Sequence, residues 1–126
     1  MCIVLMQMVM KKHLAMFFIM GDITILHCGD AVATDRLVTD VCKAGPIHLA
    51  FLPINGRDWV RESRDIIGNM TPQEAALFAK EIDCTTVIPT HYDMMCGNEE
   101  NPLLFAYLYW ESYAAKIAHG TFLRNR

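Results

Sequence analysis

Asp30 and His91 stand sixty-one residues apart, each at the end of a short apolar run. A carboxylate and an imidazole at two strand ends are donors for a divalent cation, because rigid strands fix them while the side chains still reach solvent. Gly29 lets the backbone turn sharply, so that Asp30 can point back across the strand ends. The same Gly-Asp pair suits a turn or a helix cap, in which Asp30 closes local backbone and carries no chemistry. His91 follows Thr85-Thr86-Val87-Ile88-Pro89-Thr90, and Asp93 is close enough in sequence to orient its ring through a hydrogen bond. A single histidine after a strand is more often structural, and Asp30 is what gives His91 weight.

Two further positions suit substrate contact. Arg57, in Asn55-Gly56-Arg57-Asp58, offers a planar fork that matches a phosphate or a carboxylate. The alternative is a surface pair between Arg57 and Asp58 or Glu62. Asn69, in Gly68-Asn69-Met70, precedes a helix start whose backbone N–H groups favour an anion, and its amide could orient a substrate oxygen. It suits a plain cap or turn equally well. His27, Cys28 and Cys96 match no closed zinc-site spacing, and no Ser-His-Asp, Walker or Rossmann signature occurs.

The elements that must position these residues alternate. Leu14 to Met20 and Ile23 to His27 read as paired strands joined at Gly21-Asp22. Thr34 or Asp35 caps a helix through about Lys43, which Gly45-Pro46 stops. Ile47 to Leu52 is a strand, followed by a long polar loop from Asn55 to Asn69. Thr71-Pro72-Gln73-Glu74 opens a helix with a capping box, leading into Ala75 to Ile82. Cys84 to Ile88 is the next strand and Pro89 to Pro102 the next loop. Leu103 to about Ala118 is a helix whose aromatics imply packing on most sides and which Gly120 ends. This alternation indicates an α/β layer.

With 126 residues and 53% hydrophobic content, the chain supplies one domain with a core, residues 1–126, of which 1–12 form an atypical amino-terminal segment. A formal charge of −3, with no basic cluster beyond Lys11-Lys12, argues against a nucleic-acid surface. Five cysteines at irregular spacings, without a secretion signal, fit a reducing cytoplasm rather than a disulfide framework. Met1 to Met10 and Leu14 to Met20 are both too short to cross a membrane, which takes about 20 apolar residues.

Four motifs in order carry a resemblance. They are Ile23-Thr24-Ile25-Leu26-His27-Cys28-Gly29-Asp30, Leu52-Pro53-Ile54-Asn55-Gly56-Arg57-Asp58, Gly68-Asn69-Met70-Thr71 and Val87-Ile88-Pro89-Thr90-His91-Tyr92-Asp93. Over about Leu14 to Asn101 the chain resembles the C-terminal half of a metallo-β-lactamase-fold hydrolase, nearest in appearance to the L-ascorbate-6-phosphate lactonase family of bacterial cytoplasmic enzymes. The resemblance implies the C-terminal half of an αββα sandwich, one mixed sheet with flanking helices. It implies a dinuclear Mn²⁺ or Zn²⁺ site with Asp30 as bridging carboxylate, His91 as the last histidine ligand, and Arg57 and Asn69 at a lactone or phosphorylated sugar-acid substrate.

The family's His-x-His-x-Asp-His motif is absent, since no two histidines lie two apart and no Asp-His pair occurs. The resemblance therefore implies a truncated hydrolase, inactive or weak as an isolated chain. The alternative is a non-catalytic interaction module that forms a homo-oligomer or complements a separate N-terminal half through an uncovered sheet face.

Overall fold

The computed structural model describes residues 3–10, 13–66, 68–84, 86–94 and 96–124. Five strands form a single mixed sheet in the order β1 (Ile3–Met10), β2 (His13–Met20), β3 (Ile23–His27), β4 (Leu49–Pro53), β5 (Val87–Thr90). The first three pair antiparallel, and β3, β4 and β5 run parallel. Helices α1 (Asp35–Ala44) and α3 (Pro72–Glu81) make the two parallel crossovers, α2 (Trp59–Glu62) is a short turn between them, and α4 (Pro102–Arg124) follows β5.

The alternation of side chains across the strands decides which face the helices cover. Phe17, Leu26, Ala50 and Val87 are register partners in one row, and the first three are at most 1% exposed. Leu37 and Val41 of α1, Ala75, Phe78 and Ala79 of α3 and Phe105 of α4 complete that core. The neighbouring row, Met16, His27, Phe51 and Ile88, faces the other way with Phe18, Ile25 and Leu49. None of the described helices buries this second face, although it is almost wholly apolar.

The predicted β-hairpin and the capped helices form as the sequence indicates. Thr34 Oγ1 accepts from the Leu37 N–H at 3.1 Å and Gly45, with φ 111°, ends α1. Thr71 and Glu74 make the reciprocal capping box of α3. The Met-rich start supplies strand β1, which pairs with β2 along its whole length. Three expectations are corrected. The polar loop contains α2, because Asp58 caps it by accepting from the Arg61 N–H at 2.9 Å. The last strand begins at Val87 rather than Cys84, since the Cys84 N–H closes the end of α3 on Ala79 O at 3.0 Å. Gly120 does not end α4, and the helix is not enclosed, with Tyr107 and Trp110 60% and 67% exposed.

Pro89 stands inside β5, where a missing N–H is tolerated because β5 is the sheet edge. Among the described residues no helix is long and apolar enough to cross a membrane.

Candidate metal-binding site

Because β3, β4 and β5 are parallel, their carboxyl ends lie side by side, where open α/β sheets place ligands. The loops leaving them deliver Asp30, Asn55 and His91 to one place. Gly29 makes the first turn with φ 54°, and its N–H donates to His27 Nδ1 at 3.0 Å. His91 also adopts a left-handed backbone, φ 63°, which a non-glycine residue occupies at a cost of roughly 1–3 kcal/mol and keeps only when its surroundings demand it.

His91 Nδ1 lies 3.1 Å from Asp30 Oδ1. Against both sits Asn69, the one buried polar residue among the described residues, 5% exposed. Its Nδ2 reaches Asn55 Oδ1 at 2.8 Å, Asp30 Oδ1 at 3.1 Å and His91 Nδ1 at 3.3 Å, while its Oδ1 accepts from the Ala31 N–H at 2.9 Å. The cluster forms part of the wall of a cavity of about 700 Å³, together with Arg61 and Cys96.

Asp30 and His91 are thus brought together, and Asp30 does not cap α1, which Thr34 caps. Asn69 is inside the fold, its amide engaged by the chain itself. Asp93 is exposed and makes no hydrogen bond to His91; that partnership belongs to Asp30 and Asn69. Arg57 does not line the cavity. Its fork closes on Glu74, with Nη1 to Oε2 at 2.6 Å and Nη2 to Oε1 at 2.5 Å, and its Nε faces Glu62 Oε1 at 3.6 Å. Hydrogen bonding to Glu74 raises the Arg57 pKa further, and the same bond holds the Glu74 carboxyl below its ordinary range.

Glu74 Oε2 also accepts from the Thr71 N–H at 2.9 Å, so this helix start is closed by its own capping box. Sequence reasoning missed Asn55, weighed only as part of the Arg57 motif, and Arg61, which reaches the cavity through α2 and pairs with Asp58. Only the three-dimensional proximity of Arg57 and Glu74 displaces the expected Arg57 role. Cys28, next to the site, is fully buried, which pushes its thiol up to about 12 and leaves it protonated and inert.

An exposed carboxylate beside an imidazole is a donor pair that Zn²⁺ or Mn²⁺ accepts, and Asp30 keeps 75% of its side chain accessible. The chemistry of the pair fits a divalent ion. Among the described residues no group of three His, Cys, Asp or Glu side chains gathers to hold one, whereas such sites commonly use three or four protein ligands.

No family model matches the chain. Over 84 residues it is 38% identical to a UPF0173 metal-dependent hydrolase of Bacillus cytotoxicus, and 34% identical to UPF0173 metal-dependent hydrolases of two Bacillus cereus strains. The match takes in 65% of this chain, which spans about a third of the length of these relatives, 31%. Among solved structures it superposes with a TM-score of 0.63 on Igni18, a metallo hydrolase from Ignicoccus hospitalis, at 18% identity, covering 79% of this chain and 38% of that one. It superposes on the metallo-β-lactamase fold protein YhfI of Bacillus subtilis at 0.58 and 19% identity, covering 85% and 41%. The chain has part of a metallo-β-lactamase fold. Within that fold the mixed sheet and its covering helices are the portion described above, and the Asp30–His91 cluster sits at its strand ends.

Proposed function

We propose that the chain contributes one wall of a metal-dependent hydrolase site, as the C-terminal half of its metallo-β-lactamase fold, with a lactone as the substrate class. The observation that carries this reading is the convergence of Asp30 and His91, 3.1 Å apart, on the cavity. The 38% identity to a metal-dependent hydrolase supports it. A divalent ion bound there would supply a water activated near neutral pH and polarise the acyl oxygen. Asp30 and His91 would hold the ion. A phosphorylated sugar acid would meet its cation in Arg61, which lines the cavity, more readily than in Arg57, whose fork is spent on Glu74.

Elemental analysis tests the reading. The purified chain, incubated with Mn²⁺ or Zn²⁺ and desalted, is expected to retain metal that Asp30→Ala and His91→Ala lose. Equal metal in the parent and both variants would remove these residues from the site.

A second reading, a non-catalytic module, is favoured by the uncovered apolar row of Met16, Phe18, Ile25, Phe51 and Ile88. Such a face would serve a homo-oligomer or a complementary N-terminal half. Sedimentation over a range of concentrations separates the readings: a stable monomer that retains metal leaves only the first.

A further inference from the structure

The short turn α2 reverses the usual sorting of side chains. Trp59 is 78% exposed and Val60 47%. Of the four residues of the turn, Arg61 alone is half-buried, and it lines the cavity together with Asp30, Asn55 and His91. A turn that leaves a tryptophan in water and tucks in an arginine adds little to the core, so packing does not account for it.

The chain fixes this arginine on three sides. Asp58 Oδ1 accepts from the Arg61 N–H at 2.9 Å, and Asp58 Oδ2 accepts from Arg61 Nε. The Arg61 carbonyl accepts from the Arg64 N–H and the Ile66 N–H, each at 3.0 Å. Arg57, at the base of the turn, is itself clamped on Glu74. The pairing through Nε leaves the terminal nitrogens Nη1 and Nη2, the planar fork that matches a carboxylate or a phosphate. Asp30 and Asp58 also line the cavity, and their charges oppose an anion. Asp58 spends both oxygens on Arg61, and a divalent ion at Asp30 and His91 would offset the other charge. Val60, Ile66 and Met94 supply apolar wall for the carbon frame of a small molecule.

We propose that α2 is a presenting turn, in which Asp58 positions Arg61 so that its terminal fork forms an oxyanion subsite of the cavity. The molecule taken there carries a carboxylate or phosphate group apart from its reacting carbonyl. This deepens the lactone reading and rests on it for the reacting group, though not for the anion.

The test uses the metal-free chain, with inorganic phosphate and acetate as probes. In spectra of protein labelled with ¹⁵N-arginine, at least one probe is expected to shift the Arg61 Nη signals saturably in the millimolar range, while those of Arg57 stay in place. Saturation by phosphate alone assigns a phosphoryl group, and by acetate alone a carboxylate. Arg61→Gln and Arg61→Lys are each expected to raise the half-saturating concentration about ten- to a hundredfold, since one ammonium cannot both bond Asp58 and present a fork. The Gly68 and Gly97 backbone amides, which line the cavity, report that concentration in every variant. Asp58→Asn still caps α2 but is expected to strip the Arg61 Nε–H of its protection from exchange. Saturation by neither probe, an affinity kept by either folded Arg61 variant, or protection kept in Asp58→Asn overturns the proposal. Should the variants not fold, the wild-type Arg61 and Arg57 signals decide alone. Zn²⁺ retention is followed in parallel: anion binding without it refutes the hydrolase reading and leaves the subsite, and retention without anion binding does the reverse.

Discussion

Gly68 illustrates how single atoms hold the site together. A Cβ built there would meet Arg57 Cβ at 2.1 Å, Arg57 Cα at 2.8 Å and Gly56 O at 3.0 Å. Two of these are backbone atoms, so no rotamer change relieves the contact. The Gly56 and Asn69 segments are also laced together, with the Asn69 N–H donating to Gly56 O at 2.8 Å and the Gly56 N–H to Met70 O at 2.9 Å. We expect Gly68→Ala to cost about 2 kcal/mol or more in urea unfolding and to displace Asn69, seen as weaker metal retention. A loss under about 0.5 kcal/mol would mean the loops are free to part. At this scale the sequence was partly legible. Gly29, Asp30 and His91 could be picked out because strand ends and a glycine turn are local signals. The engagement of Arg57 by Glu74, and of Asn69 by Asp30, joins residues 17 and 39 positions apart, and no local pattern carries such pairings.

At the level of elements, α3 is the hinge between the fold's framework and its site. Glu74 closes the helix start and, with the same carboxylate, locks Arg57 across the loop. Its pKa is lowered first by the Arg57 hydrogen bond, against an opposing effect of burial. The folded-state value lies below the ordinary 4.5, so the stability it contributes is complete above pH 4.5 and is lost as acid takes the pH through the lower value. Glu74→Gln should therefore cost about 1–2 kcal/mol near neutral pH, a range set for a charge-assisted pair that is partly screened by solvent. The gap to wild type should close as the pH drops beneath 4.5, and denaturant melts across that range measure it. A gap independent of pH would assign the loss to the helix cap alone. Helix starts were legible because Thr34, Thr71 and Glu74 are chemical punctuation. The exposure of α4 was not, since aromatic residues such as Tyr107 and Trp110 look the same in sequence whether covered or bare.

At the scale of the whole molecule, the described helices cover one face of the sheet and leave the other uncovered. The α/β alternation was readable from hydrophobic periodicity, but both faces of β2 to β4 are apolar, so periodicity could not say which the helices take. A hydrophobic dye is expected to bind the native chain, and Phe18→Thr with Phe51→Thr to remove most of its fluorescence while keeping strand propensity. Undiminished fluorescence would place the dye elsewhere, on α4 for instance. The sheet has a further property in its strand order, β1-β2-β3-β4-β5, identical in space and in sequence. Among the described strands each one after β1 finds its one earlier neighbour already made as it leaves the ribosome, so this sheet can be laid down in the order of synthesis.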